Sequence, residues 1–186
     1  MSTTRGIFIR LVFITIAVAA PVATMAGDRI QVDQIRTVRH NLAYGSAPHS
    51  DKDYQRLKRL GFTQIIDLRS FNPGGSHIAE KRAKRNGLIF KHIPLGFRPL
   101  HRNSLPEIFR QIDSAEKTFI HCQLGRDRTG LIAALYRVRD GVQTPQQSFR
   151  QWKDGQFNPL LRGLDKAFWE FVRRWRSACD ALPTSD

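Results

Sequence analysis

From about residue 38 onward the apolar positions switch repeatedly between two spacings. Short unbroken apolar runs alternate with stretches in which apolar residues return every three or four positions, the patterns of strands and amphipathic helices respectively. Asn41 to Tyr44 predicts a short strand, closed by a Gly-Ser-Ala-Pro turn. Ser50 opens a helix with Asp53 as its capping partner; Tyr54, Leu57 and Leu60 share one face, and Gly61 ends it. Phe62 to Leu68 predicts a strand around the strong strand formers Ile65 and Ile66. A Pro-Gly-Gly loop from Phe71 to Ser76 follows, then a basic helix from Ile78 to Asn86 stopped by Gly87, and a strand from Leu88 to Ile93. After a loop from Pro94 to Asn103, Ser104 and Glu107 form a second capping box, with Ile108, Phe109 and Ile112 facing inward. Thr118 to His121 is a strand, and Thr129 to Asp140 a helix with Leu131, Leu135 and Val138 on one side and Gly141 as its stop. Thr144, Pro145 and Gln147 start another helix, with proline in the favoured first position and Phe149 and Trp152 packing inward. A last helix from Leu164 to Ser177 carries Phe168, Phe171, Val172 and Trp175. The alternation predicts an α/β fold, a sheet covered by helices. No linker interrupts residues 27–186, so they form one domain.

The first 26 residues have a different pattern. Arg5 and Arg10 make a positive front, Leu11 to Ala20 is apolar, and Pro21 is followed by the small residues Ala23, Thr24 and Ala26. That is the order of a secretory signal, so residues 1–26 are expected to be removed after Ala26 and the domain exported, to the periplasm or the medium. The alternative is an uncleaved membrane anchor. A spanning helix needs about 20 apolar residues; Leu11 to Ala26 offers 16, interrupted by Pro21. An anchor would leave the domain on the same side of the membrane.

Composition narrows the partners. With 186 residues, 41% hydrophobic and 25% charged, the chain suits one globular domain. A formal charge of +14 favours anionic partners. There is no zinc-finger spacing and no RNA-binding aromatic signature, so nucleic acid is not expected. Two cysteines, Cys122 and Cys179, are too few for a disulfide scaffold. Cys179 sits outside any motif and reads as an incidental helix-end residue.

The chemistry concentrates between a predicted strand and a predicted helix, in FIHCQLGRDRTGL, residues 119–131, with five residues separating Cys122 from Arg128. A tight loop between strand and helix N-terminus turns successive backbone N–H groups into one hollow, and the helix adds unpaired N–H groups and partial positive charge. Such a hollow fits a tetrahedral dianion. Gly125 permits positive φ, and Gly130 is expected to let the helix start lie close to the sheet. Cysteine thiols at helix N-termini beside cations ionise readily, and the thiolate is the attacking species. Arg128 returns to the hollow one turn later with a fork that holds two phosphoryl oxygens. Thr129 can donate its hydroxyl to the sulfur as it departs, and His121 shapes the loop.

HCQLGRDRTG resembles the H-C-x-x-G-x-x-R-T-G signature of the protein-tyrosine phosphatase superfamily. The preceding NLAYGSAP and DYQRLKRLGFTQIIDLRS are similar to the opening segment of compact dual-specificity-like bacterial and fungal members, so the resemblance covers most of residues 38–155. It implies a mixed, largely parallel sheet flanked by helices in a single domain, and a reaction through a phosphocysteine intermediate without metal or cofactor. Cys122 would be the nucleophile and Arg128 the phosphate clamp, with Gln123, Leu124, Gly125, Arg126 and Asp127 lending backbone amides. The implied substrate is a phosphotyrosine protein or an inositol phosphate or phosphoinositide.

One part of the family pattern is missing. The loop that usually carries a general-acid aspartate reads IPLGFRPLHRNS here, residues 93–104, without a carboxylate. Asp127, inside the signature, is the substitute, and His101 a second candidate; Asp67 and Arg69 read as structural. Arg126 either grips a second phosphate or is a solvated rim charge. Phe71, Phe97 or Tyr44 could wall a phosphotyrosine pocket. Without the acid loop, a catalytically silent phosphate-binding module is the competing reading. A sulfur-transfer enzyme fits less well, because the five-residue gap ending in Arg-Thr suits phosphate.

Overall fold

The computed structural model describes residues 35–70, 73–97, 104–155 and 157–180. The expected signal segment, Phe71 and His101 lie outside the described residues. The chain opens with an antiparallel hairpin, β1 (Arg36–Arg39) and β2 (Leu42–Gly45), and continues through α1 (Asp51–Arg59), β3 (Gln64–Asp67), α2 (Pro73–Arg85) and β4 (Ile89–His92). Then follow α3 (Ser104–Asp113), β5 (Thr118–His121), α4 (Asp127–Arg139), α5 (Pro145–Asp154) and α6 (Arg162–Asp180). The five strands form one sheet in the order β1-β2-β5-β3-β4, parallel except for the β1–β2 pair. This is the mixed, largely parallel α/β architecture read from the sequence.

Side-chain alternation divides the core between the two faces of the sheet. Ala43, Ile65 and Phe119 join Tyr54 and Leu57 of α1, and Ala79 and Ala83 of α2, on one face. Leu42, Ile66 and Ile120 join the apolar residues of α3, α4, α5 and α6 on the other. β5 lies between β2 and β3 with all four residues buried, so its carboxyl end, where the signature begins, emerges from the middle of the sheet. That is where ligands bind in open parallel sheets.

The structure departs from the sequence expectations at several points, each with a local cause. The hydrophobic pattern gave no sign of β1, because Arg-Thr-Val-Arg is an exposed edge strand held by pairing to β2. Leu60 is 46% exposed: α1 ends at Arg59, and Leu60 leaves the helical register as its C-cap. The helix expected from Ile78 begins at Pro73, so most of the Pro-Gly-Gly loop is its first turn. There the Ser76 hydroxyl donates to Asp67 Oδ2 at 2.9 Å, a tertiary bond that offsets the weak helix propensity of two glycines. Ser104 is the first residue of α3 rather than the one before it, and Glu107 pairs with Arg110 and accepts from Gln111. The boxes at Ser50/Asp53 and Thr144/Gln147 form as expected. Phe168 and Val172 are buried in α6, whereas Trp175 is partly exposed and stacks on Phe171.

α4 is the centre of its layer. Its first ten residues, Asp127 to Tyr136, are all buried. Gly130 admits a close neighbour, but that neighbour is not the sheet: a Cβ there would lie 2.5 Å from Cδ1 of Trp152, so the glycine receives the indole of α5. The indole Nε1 donates to the Asp127 carbonyl at 3.1 Å, fixing α5 against the first turn of α4.

Candidate active site

The segment from Cys122 to Arg126 joins the end of β5 to the start of α4, and its course is set by backbone contacts. Gly125 has φ +68, and a Cβ on it would lie 2.3 Å from the carbonyl carbon of Gly45 and 2.5 Å from Ser46 N. Glycine is therefore required twice, for the left-handed conformation and for the close approach of the segment after β2. The Ala47 N–H donates to the Gln123 carbonyl at 3.2 Å, tying the same two segments together. α4 starts at Asp127, two residues before the expected Thr129, with Arg126 as an N-cap that makes no side-chain capping bond. The early start brings the helix N-terminus, with its unpaired amides and partial positive charge, inside the signature itself.

Cys122 is 3% exposed, and its Sγ lies 3.8 Å from the Thr129 hydroxyl. Arg128 is also buried, and both sheet-end loops anchor one corner of its guanidinium. Nη1 donates to the Leu68 carbonyl at 3.1 Å, the Leu95 carbonyl at 3.3 Å and the Ser70 hydroxyl at 3.5 Å. The group lies over the Phe97 ring, 4.4 Å from its centroid. Nε, although buried, finds no acceptor among the described residues, and neither does the buried Nε of Arg126. Gln123 and Leu124 turn their side chains outward, which leaves their backbone as their contribution to the loop.

Asp127 is nearly buried at the first position of α4. Its Oδ1 accepts the Asn158 N–H at 2.8 Å, linking the N-terminal end of α4 to the segment between α5 and α6. No acidic residue stands between β4 and the end of the described segment at Phe97, in keeping with the missing carboxylate.

Asp67 ends β3 and Arg69 follows it two residues later. Asp67 is fully buried; it accepts from Arg69 Nε at 3.0 Å and Nη2 at 2.7 Å, from the Arg69 backbone N–H at 2.9 Å, and from Ser76. Burial would raise its carboxyl, but the hydrogen bonds from Arg69 and the nearby His121 outweigh it and hold the group below the ordinary range. His121 is wholly buried one residue before the cysteine. Its Nδ1 faces two acceptors, the Cys122 carbonyl at 3.1 Å and Asp67 Oδ1 at 3.7 Å, so the ring proton sits on Nδ1. Burial pushes the imidazole down to about 4, against the opposing pull of Asp67 and the Cys122 carbonyl, so at neutral pH the ring is uncharged and the Asp67 contact is not an ion pair.

This gives a linkage effect with a definite sign. An unfolded histidine takes its proton near pH 6.5, whereas folded His121 does so near 4. Its stabilising contribution is complete above about pH 6.5 and is lost as pH falls toward about 4, because the unfolded state then binds the extra proton. Chemical unfolding at about pH 7 and about pH 4.5 should show a loss of about 2–3 kcal/mol from this group. His121→Asn should lose correspondingly less over the same interval, and equal losses in both proteins would refute the assignment. Below that window the depressed Asp67 carboxyl lowers stability further.

Several of these contacts had no signal in the sequence. The Leu68 and Leu95 acceptors are backbone carbonyls, and the Asn158 contact uses a backbone N–H. Phe97 stood only among candidates for a pocket wall, with nothing to join it to Arg128.

A buried cysteine and a buried arginine, with five residues between them, lie where a central parallel strand turns into an uncapped helix, the arrangement expected of a phosphatase of the protein-tyrosine and dual-specificity superfamily. Within it, residues 35–176 match the model of PTP-SAK, the Swiss Army Knife protein DSP-PTPase phosphatase domain, and the chain belongs to that family. Solved structures share the fold. TpbA of P. aeruginosa is 18% identical with a TM-score of 0.65, the match covering 77% of this chain and 89% of that one. Another TpbA structure, in complex with pTyr, gives 17% identity, a TM-score of 0.64 and coverage of 80% and 91%. The core catalytic domain of the PP-IP phosphatase SIW14 from S. cerevisiae gives 16%, 0.58, and 80% and 94%. No curated protein matches the chain in sequence.

Proposed function

We propose that this phosphatase hydrolyses phosphomonoesters through a phosphocysteine intermediate on Cys122. The thiolate attacks phosphorus, the S–P bond forms and the P–O bond to the alcohol breaks, and Asp127 gives the departing oxygen its proton. Water then attacks the phosphocysteine, Asp127 takes a proton from it, the S–P bond breaks, and inorganic phosphate leaves. The amides from Gln123 to Asp127 and the Arg128 fork hold the non-bridging oxygens throughout. The Thr129 hydroxyl, 3.8 Å from Sγ, stabilises the sulfur as it departs.

The observation that carries this reading is the anchoring of Arg128. Nη1 is committed to protein acceptors, while the buried Nε has none among the described residues. A buried N–H without an acceptor is costly, and the Nε edge is the one that pairs bidentately with two phosphoryl oxygens. For Asp127, Oδ1 is occupied by Asn158, and Oδ2 is the oxygen assigned to proton transfer.

Two substrate classes fit. TpbA has been solved with pTyr, and Phe97 beside Arg128 offers an aromatic wall of the kind a phosphotyrosine ring needs. SIW14 is a PP-IP phosphatase, and Arg126, with its own unpaired Nε, suits a second phosphate on an inositol ring. The same reading puts the enzyme outside the cytoplasm, on the strength of residues 1–26.

Rapid mixing with two aryl phosphates of unequal leaving group tests the mechanism. A burst of the better phenol, with a phosphoryl group on the Cys122 peptide after acid quench, is the expected result. Asp127→Asn should slow the burst about 100-fold for the poorer leaving group and little for the better one. No phosphoryl group on Cys122 would overturn the covalent route, and equal slowing would move the proton donor elsewhere. A panel of phosphotyrosine peptides and inositol phosphates decides between the substrate classes.

A further inference from the structure

The segment after β4 occupies the place where an acid loop was sought, yet its hydrogen-bond and cation–π contacts with the signature among the described residues go to Arg128. Leu95 supplies a carbonyl acceptor to Nη1 at 3.3 Å, and two residues later Phe97 lays its ring against the guanidinium, 4.4 Å from CZ to the centroid. The segment is itself fixed to the sheet. The Ile93 N–H donates to the Asp67 carbonyl at 3.0 Å and the Leu95 N–H to the Leu68 carbonyl at 3.1 Å, while Leu95 is 1% exposed. The Leu68 carbonyl thus serves Leu95 N–H and Arg128 Nη1 together. Arg128 is therefore held at one corner, Nη1, by hydrogen bonds, and its guanidinium carbon sits over an aromatic ring.

These two restraints do different work. The carbonyls fix where Nη1 sits but leave the guanidinium free to tilt about that corner. An aromatic face 4.4 Å from the guanidinium carbon holds the group from a second direction and consumes none of its N–H groups. The attraction of a cation to an aromatic face is strongest when the pair is out of water, and Arg128 is 6% exposed. We propose that Phe97 is a positioning residue for Arg128, restraining the guanidinium so that its Nε edge meets two phosphoryl oxygens. The proposal rests on the phosphocysteine reading and deepens it: the segment after β4 acts on the phosphate through the arginine, where an acid loop would act on the leaving group.

The test is a series at one position, Phe97→Tyr, Phe97→Trp and Phe97→Leu, in the full domain under reducing conditions. Phe97→Leu should lower kcat/KM for aryl phosphates about tenfold, since tenfold corresponds to about 1.4 kcal/mol, within the range of one such contact. The loss should be equal for good and poor leaving groups, because the clamp holds oxygens that do not depart. The inhibition constant of orthovanadate should rise by the same factor, and Phe97→Tyr should retain near wild-type values of both. A purely structural role would lower the active fraction while leaving the vanadate constant unchanged, and that result would overturn the proposal. So would a loss confined to poor leaving groups, or no loss at all. Failure of the underlying mechanism has a separate signature, full turnover in Cys122→Ser with wild-type Phe97 in place.

Discussion

Arg128→Lys is expected to reduce kcat/KM by about a thousandfold while the protein remains folded. The substitution preserves one positive charge, so any fall beyond about tenfold measures geometry rather than net electrostatics. A lysine ammonium has no planar fork and cannot hold two oxygens side by side. It also cannot stay on the Leu68 and Leu95 carbonyls while reaching the phosphate, as the guanidinium can with Nη1 on one side and Nε on the other. Removing a single preorganised donor from a developing oxyanion costs about 10²–10³, and here an entire fork edge is lost. Steady-state turnover of an aryl phosphate, with circular dichroism as a folding check, measures it. A drop of tenfold or less in a folded protein would mean that Arg128 contributes field only, and the bidentate clamp would be wrong.

Gly125→Ala has the second large effect, and it reports on stability and activity together. At φ +68 an alanine meets about 1–2 kcal/mol of backbone strain. Its Cβ would also sit 2.3–2.5 Å from backbone atoms of Gly45 and Ser46, which no rotamer change can move aside. Overpacking of this kind costs about 1–3 kcal/mol, so the sum is about 2–5 kcal/mol. To escape the clash, the loop must shift away from β2, and a displacement of about 1 Å at a catalytic centre can cost about 100-fold in rate. Gly61→Ala is the control: φ is +81 there, but nothing lies within 4 Å of the added Cβ. It should cost only about 1–2 kcal/mol from the backbone, with kcat/KM unchanged. Urea unfolding and turnover of both variants make the comparison; equal destabilisation would show that the contact with Gly45 is not tight.

The contrast between these positions shows what a linear chain can disclose. A motif of side chains is legible: Cys122 and Thr129 were expected together, and their polar atoms lie 3.8 Å apart. Elements whose signal is local were also legible. Thr118–His121 appears with the expected bounds because it is a short apolar run between polar ends, and α5 starts where its capping box says. Elements held by pairing or tertiary bonds were not. β1 is polar and exists through β2, and the first turn of α2 contains Pro-Gly-Gly but is secured by Ser76 to Asp67. The start of α4 escaped for a related reason, since Arg126 caps nothing with its side chain and none of the usual capping residue types marks the boundary. Backbone acceptors such as those of Leu68 and Leu95 leave no trace in residue identity, because every residue carries one. The Phe97 contact needed a loop and the first turn of a helix brought to one spot, which only the fold supplies.

The enclosure of α4 has a consequence for how this scaffold can diversify. Because every residue from Asp127 to Tyr136 is surrounded, almost any replacement along that stretch disturbs several neighbours at once, and the helix can accept little variation without the domain weakening. The outward-facing side chains of Gln123 and Leu124 carry no such burden. Laboratory selection for a new phosphoester should therefore yield winners around the mouth of the hollow and leave its axle untouched. Libraries that randomise the helix should return mostly inactive, poorly expressed clones.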